Sequence, residues 1–434
     1  MTIGKTGIIP NFLIILILFS GCATGKEIKN TKELNLSIET TADIEEIPEK
    51  KEISKEEKIE FQVETLLSEM SVDEKIGQLF MIAVRNSYDG KRMLHADDYM
   101  KSVIERYKPG GIIFFTINFD TPQQTRDLIR GTQLLSGIPL FTAVDEEGGV
   151  VARLGNSERM SVTLLPPAAV IGRTGKTEYA AMASKVISRE LKALGFNMNM
   201  APVADVNTNS LNPVIGSRTY SDNPEQAGHM VAAVTEAMAE EEMISVLKHF
   251  PGHGDTSSDT HKGDVILNHD IQRLEKIEFI PFIMGIEAGA DVIMTAHIKV
   301  PRVSGSDMPA TMSPVILQEI LRGELGFQGI IITDAMDMGA VKNYWSSSEA
   351  AVNALIAGVD IILIPADIQD AIDGIKEALN TGVINIERID DSIRRILRVK
   401  IKRNIISDEL PGSDDLESIL GSEEHKKTIE AITK

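Results

Sequence analysis

Short apolar runs rich in β-branched residues alternate with longer amphipathic stretches from residue 59 onward. Runs of the first kind are typical of buried strands, and stretches of the second kind are typical of helices packed on one face. The predicted strands are 78–83, 111–115, 140–144, 197–201, 244–247, 291–295, 330–333 and 360–364. The clearest predicted helices are 180–194, 224–241, 271–288, 314–325 and 349–357.

Local signals mark several boundaries of these elements. Ser71 and Glu74 have the spacing of a capping box at the start of a helix. Two similar segments, Ala-Gly-Ala-Asp-Val-Ile around Gly289 and Ala-Gly-Val-Asp-Ile-Ile around Gly358, predict that a glycine ends a helix just before a buried strand.

Strands that alternate with helices predict a parallel sheet. Eight such units over residues 59–405 predict an α/β fold of the (β/α)8 TIM-barrel type. An open doubly wound sheet is the alternative, but no Gly-x-Gly-x-x-Gly or Walker loop follows an early strand. Residues 406–434 are expected to form a short acidic C-terminal tail, without a second αβα domain.

Ionisable residues recur where the predicted strands end. Asp145 follows strand three, Lys248 and His249 follow strand five, His297 follows strand six and Asp334 follows strand seven. In TIM barrels the active site lies at the carboxyl ends of the strands. The sequence therefore predicts that these residues meet at one mouth of the barrel.

The N-terminal residues have the composition of an export signal. Residues 12–19 are apolar but too few to span a bilayer, and Ser20 and Gly21 precede the single cysteine, Cys22. This predicts a lipoprotein signal peptide over 1–21 and a lipidated, disordered tether over 22–58, which is rich in Lys, Glu and Thr. An ordinary signal peptide or N-terminal anchor with an incidental cysteine is the alternative.

Overall composition narrows the functional classes. The chain has 434 residues, 43% of them hydrophobic, which is sufficient for a large buried core. Its formal net charge of −20 argues against nucleic acid as a partner, because phosphate binding needs a basic surface. One cysteine allows no intramolecular disulfide.

Residues 248–261 concentrate three histidines, a lysine and two aspartates on a glycine-containing segment. Asp259 and His261 are two residues apart, so in an extended segment their side chains point the same way. An aspartate hydrogen-bonded to the imidazole would orient the ring and favour its protonated form. His261 is thus a candidate general acid and base, and a solvated polar loop is the alternative.

Asp334 closes an apolar strand, where a carboxylate can act as a nucleophile, a general base or a metal ligand. A capping or salt-bridging role is the alternative, and the nearby Asp337 is expected to be a helix cap.

A metal site formed by His249, His253, His261 and Asp255 is a separate hypothesis. It is less favoured because the spacing matches neither a zinc finger nor a zincin. The segment Asp-Glu-Glu-Gly-Gly-Val-Val-Ala-Arg that begins at Asp145 and ends at Arg153 offers an acceptor and a forked donor suited to hydroxyl-rich ligands. An Asp145–Arg153 ion pair that only orients the loop is also compatible with this pattern.

Five motifs together resemble glycoside hydrolase family 3, in its β-N-acetylhexosaminidase branch, over roughly residues 60–400. They are Lys-His-Phe-Pro-Gly-His-Gly-Asp at 248–255, Ser-Asp-Thr-His at 258–261, the 145–153 segment, Ile-Thr-Asp-Ala-Met at 332–336 and Asn-Pro-Val-Ile-Gly-Ser-Arg-Thr-Tyr at 212–220.

The resemblance implies a retaining double displacement that needs no metal or cofactor. Asp334 would be the nucleophile, and His261 paired with Asp259 would be the acid and base. The positions that match the family's sugar-binding residues are Asp145, Arg153, Arg218, Lys248 and His249.

The resemblance also implies a carbohydrate substrate, with N-acetylglucosamine released from β-linked cell-wall fragments such as muropeptides. A β-glucosidase, a glycoside phosphorylase and an inactive sugar-binding lipoprotein are the alternatives. The expected location is the outside of the cell membrane, with the lipid on Cys22 as the only membrane contact. The residue after Cys22 is Ala23, and not the aspartate that often retains lipoproteins at the inner membrane, which favours a location at an outer membrane.

Overall fold

The computed structural model describes residues 53–157, 159–258, 260, 263–407 and 409–434. Eight parallel strands form one sheet: β1 Phe80–Ile82, β2 Gly111–Phe114, β3 Phe141–Val144, β4 Met198–Asn199, β5 Ile244–Phe250, β6 Val292–Thr295, β7 Ile330–Thr333 and β8 Ile362–Leu363. The order is β7-β6-β5-β4-β3-β2-β1-β8, and a parallel bridge between Ile332 and Ile361 joins its two ends. The sheet is therefore a nearly closed parallel barrel and not the open doubly wound sheet that was the alternative.

Helices follow the strands around the barrel. Their bounds are α1 Lys55–Glu69, α2 Val72–Gln78, α3 Asp98–Tyr107, α4 Pro122–Leu134, α5 Ala168–Gly172, α6 Thr177–Leu194, α7 Pro224–Glu240, α8 Ile271–Lys276, α9 Ile280–Glu287, α10 Pro301–Ser304, α11 Gly339–Lys342, α12 Ser347–Ala357, α13 Ile368–Asn380, α14 Ile386–Lys402 and α15 Glu423–Thr433. A π-helix covers Val315–Glu324. Short 3₁₀ turns lie at Thr116–Asn118, Gly216–Arg218 and Ala310–Met312.

Shorter strands lie outside the barrel. Glu146–Gly148 and Val151–Ala152 pair antiparallel as a hairpin directly after β3. Val265–Ile266 and Ile298–Lys299 pair in parallel.

The local signals in the sequence act as predicted. The Ser71 hydroxyl accepts from the backbone N–H of Glu74, and the Glu74 carboxylate accepts from the Ser71 N–H, so both halves of the capping box form. Gly358 ends α12 in the left-handed conformation with φ of 112°, and Gly289 has φ of 87° just after α9. Both glycines thus turn the chain towards the strand that follows.

Several predicted boundaries are wrong, and three of them change the element in which a residue lies. Gln78 ends α2 instead of starting β1. β5 continues to Phe250, so Lys248 and His249 lie within the strand and not after it. The predicted helix 271–288 is two helices, because Pro281 in the first turn of α9 has no N–H to donate and its ring does not fit a helix interior.

The two ends of the described chain are more ordered than the sequence predicts. α1 begins at Lys55, inside the segment 22–58 that was expected to be a tether. Residues 406–434 are not only a tail, because α15 buries His425, Ile429 and Ile432. No helix in the described part is both long and apolar enough to cross a bilayer. Cys22 and the predicted signal peptide lie outside the described residues.

Candidate active site

A cavity of about 470 Å³ opens at the carboxyl ends of the barrel strands, a size typical of small-ligand sites. Six of the predicted site residues line it: Asp145, Arg153, Arg218, Lys248, His249 and Asp334. Ile113, Met200 and Met294 line it as well, and they come from the ends of β2, β4 and β6. The fold therefore brings together residues as distant in the chain as Ile113 and Asp334.

Asp334 lies directly after β7. Its backbone N–H donates to the Thr295 carbonyl at 3.1 Å, and its Oδ1 accepts from the Ala335 N–H at 2.8 Å. Burial acts to raise the pKa of this carboxyl, but His249, His297, the Ala335 N–H and Lys248 outweigh it and lower the pKa below the usual value. Asp334 is therefore ionised at neutral pH, as a nucleophile must be.

Charged side chains form a connected network along one wall of the cavity. Lys248 Nζ lies 2.9 Å from Asp145 Oδ1 and 2.6 Å from Glu147 Oε1. Arg218 donates from Nε and Nη2 to the two oxygens of Glu147, both at 2.8 Å. Arg153 Nη2 lies 3.4 Å from Asp145 Oδ2. Such a bidentate, buried pairing fixes the position of each donor at the cavity wall.

The pKa values within this network shift in opposite directions. Burial acts to raise the pKa of Glu147, but the charges of Lys248 and Arg218 lower it to about 2. Burial acts to lower the pKa of Lys248, but Asp145 and Glu147 raise it above the usual value. The wall therefore keeps its alternating charges throughout the neutral range.

His249 is held from behind by Asp205, which is fully buried. His249 Nδ1 lies 2.8 Å from Asp205 Oδ2, and Asp205 Oδ1 accepts from the His253 N–H at 2.6 Å. Burial acts to raise the pKa of Asp205, but His249 and His253 lower it. An ionised Asp205 requires a proton on Nδ1 of His249, which leaves Nε2 available to a ligand.

Two other histidines support the site. His253 Nδ1 lies 2.6 Å from the Thr256 hydroxyl, and burial lowers the pKa of His253. His297, predicted at the end of strand six, does not line the cavity; its Nε2 lies 3.1 Å from the carbonyl oxygen of Ala335, the residue after Asp334.

Asp337 does not cap a helix as expected. The N-cap of α11 is Met338, and the Asp337 carboxylate instead lines the cavity, 3.9 Å from Arg85 Nη1. The sequence Asp-Met-Gly resembles a helix start, but the chain bends around the cavity mouth before α11 begins.

Sequence reasoning missed Glu147 and Asp205. Glu147 lies within the 145–153 segment, of which only the first and last residues, Asp145 and Arg153, were predicted to bind a ligand. Asp205 is the first acidic residue after β4, a strand to which no terminal site residue had been assigned. Extending the search a few residues beyond each strand would have found it.

Asp259 and His261 lie outside the described residues, so their pairing stays a prediction. Thr260, between them, lines the cavity. Of the hypothetical metal ligands, Asp255 Oδ2 contacts His269 Nε2 at 2.6 Å, and His249 contacts Asp205. Within the part of the chain that the structure describes, no three His, Cys, Asp or Glu side chains are grouped as a metal site would require.

Residues 71–399 match the family model of the glycosyl hydrolase family 3 N terminal domain. The chain belongs to glycoside hydrolase family 3. This family 3 chain is 35% identical over 354 residues to β-hexosaminidase A of Pseudoalteromonas piscicida. The aligned region covers 76% of this chain and 58% of that relative. It is also 35% identical over 264 residues to a β-hexosaminidase of Nitrosomonas eutropha, and that aligned region covers 59% of this chain and 74% of the relative.

Solved structures agree with the sequence comparison. A family 3 β-N-acetylglucosaminidase from Paenibacillus sp. is similar with a TM-score of 0.76 and 33% identity, over 84% of this chain and 68% of that protein. The β-glucoside phosphorylase BglX is similar with a TM-score of 0.77 and 26% identity, over 88% of this chain and 66% of that protein. The resemblance predicted from the motifs is confirmed, and the chain is a glycoside hydrolase by family.

Proposed function

We propose that this family 3 chain is a retaining exo-β-N-acetylglucosaminidase that forms a glycosyl-enzyme intermediate on Asp334. The observation that carries the proposal is the ionised Asp334 at the mouth of the barrel, beside a wall of fixed hydrogen-bond donors and acceptors. Support for the sugar comes from relatives named β-hexosaminidase and from a similar solved β-N-acetylglucosaminidase.

The proposed reaction has two displacements at the anomeric carbon. In the first, an Asp334 oxygen bonds to that carbon while its bond to the leaving oxygen breaks, and His261 gives a proton to the leaving oxygen. In the second, water attacks the same carbon, His261 takes the water proton and Asp334 departs. Asp259 would orient His261 and stabilise its charged form.

The cavity wall suits the sugar that is released. Asp145 accepts hydrogen bonds at the cavity wall, whereas Lys248, Arg218 and Arg153 donate them, so adjacent hydroxyls of a pyranose find partners of both kinds. Glu147 does not line the cavity and holds Lys248 and Arg218 in place from behind. The network is already paired before a sugar binds, so the donors need little rearrangement. Apolar side chains from the barrel interior, among them Ile113 and Met294, line the same cavity and can pack against the C–H face of the sugar ring.

The nucleophile is tested with Asp334→Asn. An amide is a poor nucleophile, so kcat on an aryl β-N-acetylglucosaminide should fall at least about 10³-fold while the sugar still binds. Asp307→Asn, at an exposed aspartate that does not line the cavity, is the matched control and should keep wild-type kinetics. A 2-fluoro sugar should label a peptide containing Asp334 in mass spectrometry. Full activity of Asp334→Asn would falsify the assignment.

His261 is tested by the leaving group. His261→Ala should slow substrates with poor leaving groups most, because those need protonation in the transition state. A uniform loss across leaving groups would contradict the acid role.

One assay distinguishes the alternatives for the sugar that is released and for the acceptor, water or phosphate, that receives it. Aryl β-glycosides of N-acetylglucosamine, glucose and xylose are compared with and without inorganic phosphate. The similarity to a β-glucoside phosphorylase makes the phosphate arm necessary. Faster turnover with a sugar 1-phosphate product would favour a phosphorylase, and sugar binding without any turnover would favour an inactive binding protein. Loss of activity with a chelator would favour a metal-dependent hydrolase.

We also propose that Cys22 is lipidated and holds the enzyme at the cell envelope, where cell-wall fragments are the substrate. Support comes from the apolar run 12–19 and the small residues before Cys22. Metabolic labelling with an alkyne fatty acid should mark the wild-type protein and not Cys22→Ser. Equal labelling of both would remove the anchor from the proposal.

A further inference from the structure

We propose that the C-terminal segment, residues 411–434, positions the substrate hairpin, residues 146–152, through Glu190 and His425. Both would be positioning residues, since neither lines the cavity. The inference rests on the proposed function, because it assigns the C-terminal segment a part in binding the sugar.

The C-terminal segment is attached to the barrel helices at several points. Arg130, on α4, donates to the carbonyl oxygens of Pro411 and Gly412 at 3.0 and 3.2 Å. α15 packs against α6 and buries Ile429 and Ile432. The segment therefore has a defined position from which it can act on other parts of the molecule.

Glu190, on α6, is the point where the segment meets the loop before α5. Its carboxylate is completely buried and has four donors. Thr163 provides its N–H at 2.8 Å and its hydroxyl at 2.6 Å, Gly421 provides its N–H at 3.0 Å, and His425 lies with Nδ1 at 2.8 Å. Three of these contacts fall on Oε1 and the Thr163 N–H falls on Oε2, so both oxygens of the buried carboxylate are engaged. One buried charge thus connects the C-terminal segment to Thr163.

The contact at Gly421 is close as well as polar. Gly421 has φ of 56°, and a β-carbon there would lie 2.3 Å from the carbonyl oxygen of Ser161. The loop that contains Ser161 and Thr163 is therefore in direct backbone contact with the C-terminal segment.

The same loop continues to the substrate hairpin. The Gly149 N–H donates to the Leu165 carbonyl oxygen at 3.0 Å. A β-carbon on Gly148 would lie 2.8 Å from Leu165, and one on Gly149 would lie 2.8 Å from Pro167. The turn of the hairpin is thus fitted against residues 165–167 without space for a side chain.

The hairpin in turn fixes the charged wall of the cavity. It contains Glu147, whose carboxylate holds Lys248 and Arg218, and Arg153 follows directly after it. A two-stranded hairpin of this length is only marginally stable by itself, so it depends on what packs against its turn. Loss of the Glu190–His425 contact should therefore displace Glu147 and weaken binding of the sugar.

The test compares His425→Ala, His425→Asn and Lys427→Ala in the full chain. Alanine removes the ring donor, asparagine restores a donor near the position of Nδ1, and Lys427 is exposed on the same helix. We expect KM for an aryl β-N-acetylglucosaminide to rise about three- to tenfold in His425→Ala, with kcat within about twofold. His425→Asn should recover most of the loss, and Lys427→Ala should match wild type.

Glu190→Gln should have a larger effect in the same direction, because its amide NH2 would face one of the four donors. Hydrogen exchange of residues 146–157 is the second readout, and it should speed up at least threefold in His425→Ala and in Glu190→Gln. This measurement needs no turnover, so it holds even if the enzyme acts on another sugar. A lower melting temperature with unchanged KM and unchanged exchange in the hairpin would overturn the inference. Absence of wild-type turnover would instead count against the proposed function alone.

Discussion

At the scale of single residues, the cavity depends on buried charges that neutralise each other. Glu147 is the shared partner of Lys248 and Arg218, and its own burial is tolerated only because of them. Glu147→Gln preserves the shape but leaves two cations with too little negative charge. We expect the free energy of unfolding to fall by about 3 kcal/mol and kcat/KM to fall more than tenfold.

Urea denaturation and steady-state kinetics measure the two effects of Glu147→Gln. Glu319→Gln, on the exposed side of the π-helix, is the control and should be neutral. A stability loss confined to a few tenths of a kcal/mol would mean that the network is only an arrangement of weak surface pairs.

The pH dependence of stability follows from the same residue. The pKa of Glu147 is lowered from 4.5 to about 2, so the folded state holds fewer protons than the unfolded state in that interval. The stabilisation is complete above pH 4.5 and is lost as the pH falls towards 2. In Glu147→Gln the acid limb of the stability curve should be shallower between pH 4.5 and 2, measured by urea denaturation at each pH.

Asp205 should influence the pH at which Asp334, the proposed nucleophile, becomes active. His249 contributes to the lowered pKa of Asp334, and Asp205 holds the His249 ring in position through its contact with Nδ1. In Asp205→Asn the His249 ring loses the contact that positions it, so His249 should lower the pKa of Asp334 less and that pKa should rise. Activity is lost as the pH falls through that pKa, so the acid limb of kcat/KM should move to higher pH. An acid limb of kcat/KM that stays in place in Asp205→Asn would contradict this prediction.

At the scale of elements, the loop after β5 lies on the loop after β4 without any gap. A β-carbon on Gly254 would lie 1.8 Å from the Val206 carbonyl oxygen, so Gly254→Ala must push the two loops apart. We expect a stability loss of about 1–3 kcal/mol and a large fall in kcat, because the displaced loop leads to residues 259–261. Gly137→Ala, which meets no atom within 4 Å, is the matched control in thermal denaturation and kinetics. Unchanged kcat in Gly254→Ala would show that this contact does not position the loop.

The elements also show what a sequence can predict. All eight strands could be predicted, because short apolar runs rich in β-branched residues, set between helical stretches, are typical of the buried strands of a parallel sheet. The boundary at Lys248 and His249 was wrong because a charged pair usually ends a buried strand, whereas here the barrel mouth supplies partners to both residues. Local pattern cannot reveal partners such as Asp145 and Asp205, which are distant in the chain.

The C-terminal residues show the opposite error. Their acidic composition suggested a tail, but Ile429 and Ile432 are three positions apart on α15, Leu416 and Leu420 are four positions apart before it, and all four are buried. That spacing was available in the sequence. Their packing partners on α6 were not, because contact between α6 and α15 depends on the closed barrel.

At the scale of the whole molecule, the fold contains a buried amine that has no acidic partner among the described residues. Lys400, on α14, is completely buried, donates to Gln78 Oε1 at 2.7 Å, and lies 4.9 Å from the centre of the Phe141 ring. Burial lowers the pKa of Lys400 to about 7. Below that pH the folded protein must hold a charge in its interior, which destabilises it relative to the unfolded chain.

This makes global stability depend on pH in a window where few other groups titrate. Between pH 7 and about 10 the unfolded chain binds a proton on Lys400 that the folded protein does not, so stability rises with pH by up to about 1.4 kcal/mol per pH unit. Lys400→Met keeps the volume and removes the charge, so its gain over wild type should be largest near pH 6 and shrink towards pH 10. Lys427→Met, on the exposed face of α15, should follow the wild-type curve. Urea denaturation across this range decides the matter: parallel curves for wild type and Lys400→Met would mean that Gln78 and the Phe141 ring stabilise the charged amine as well as water does.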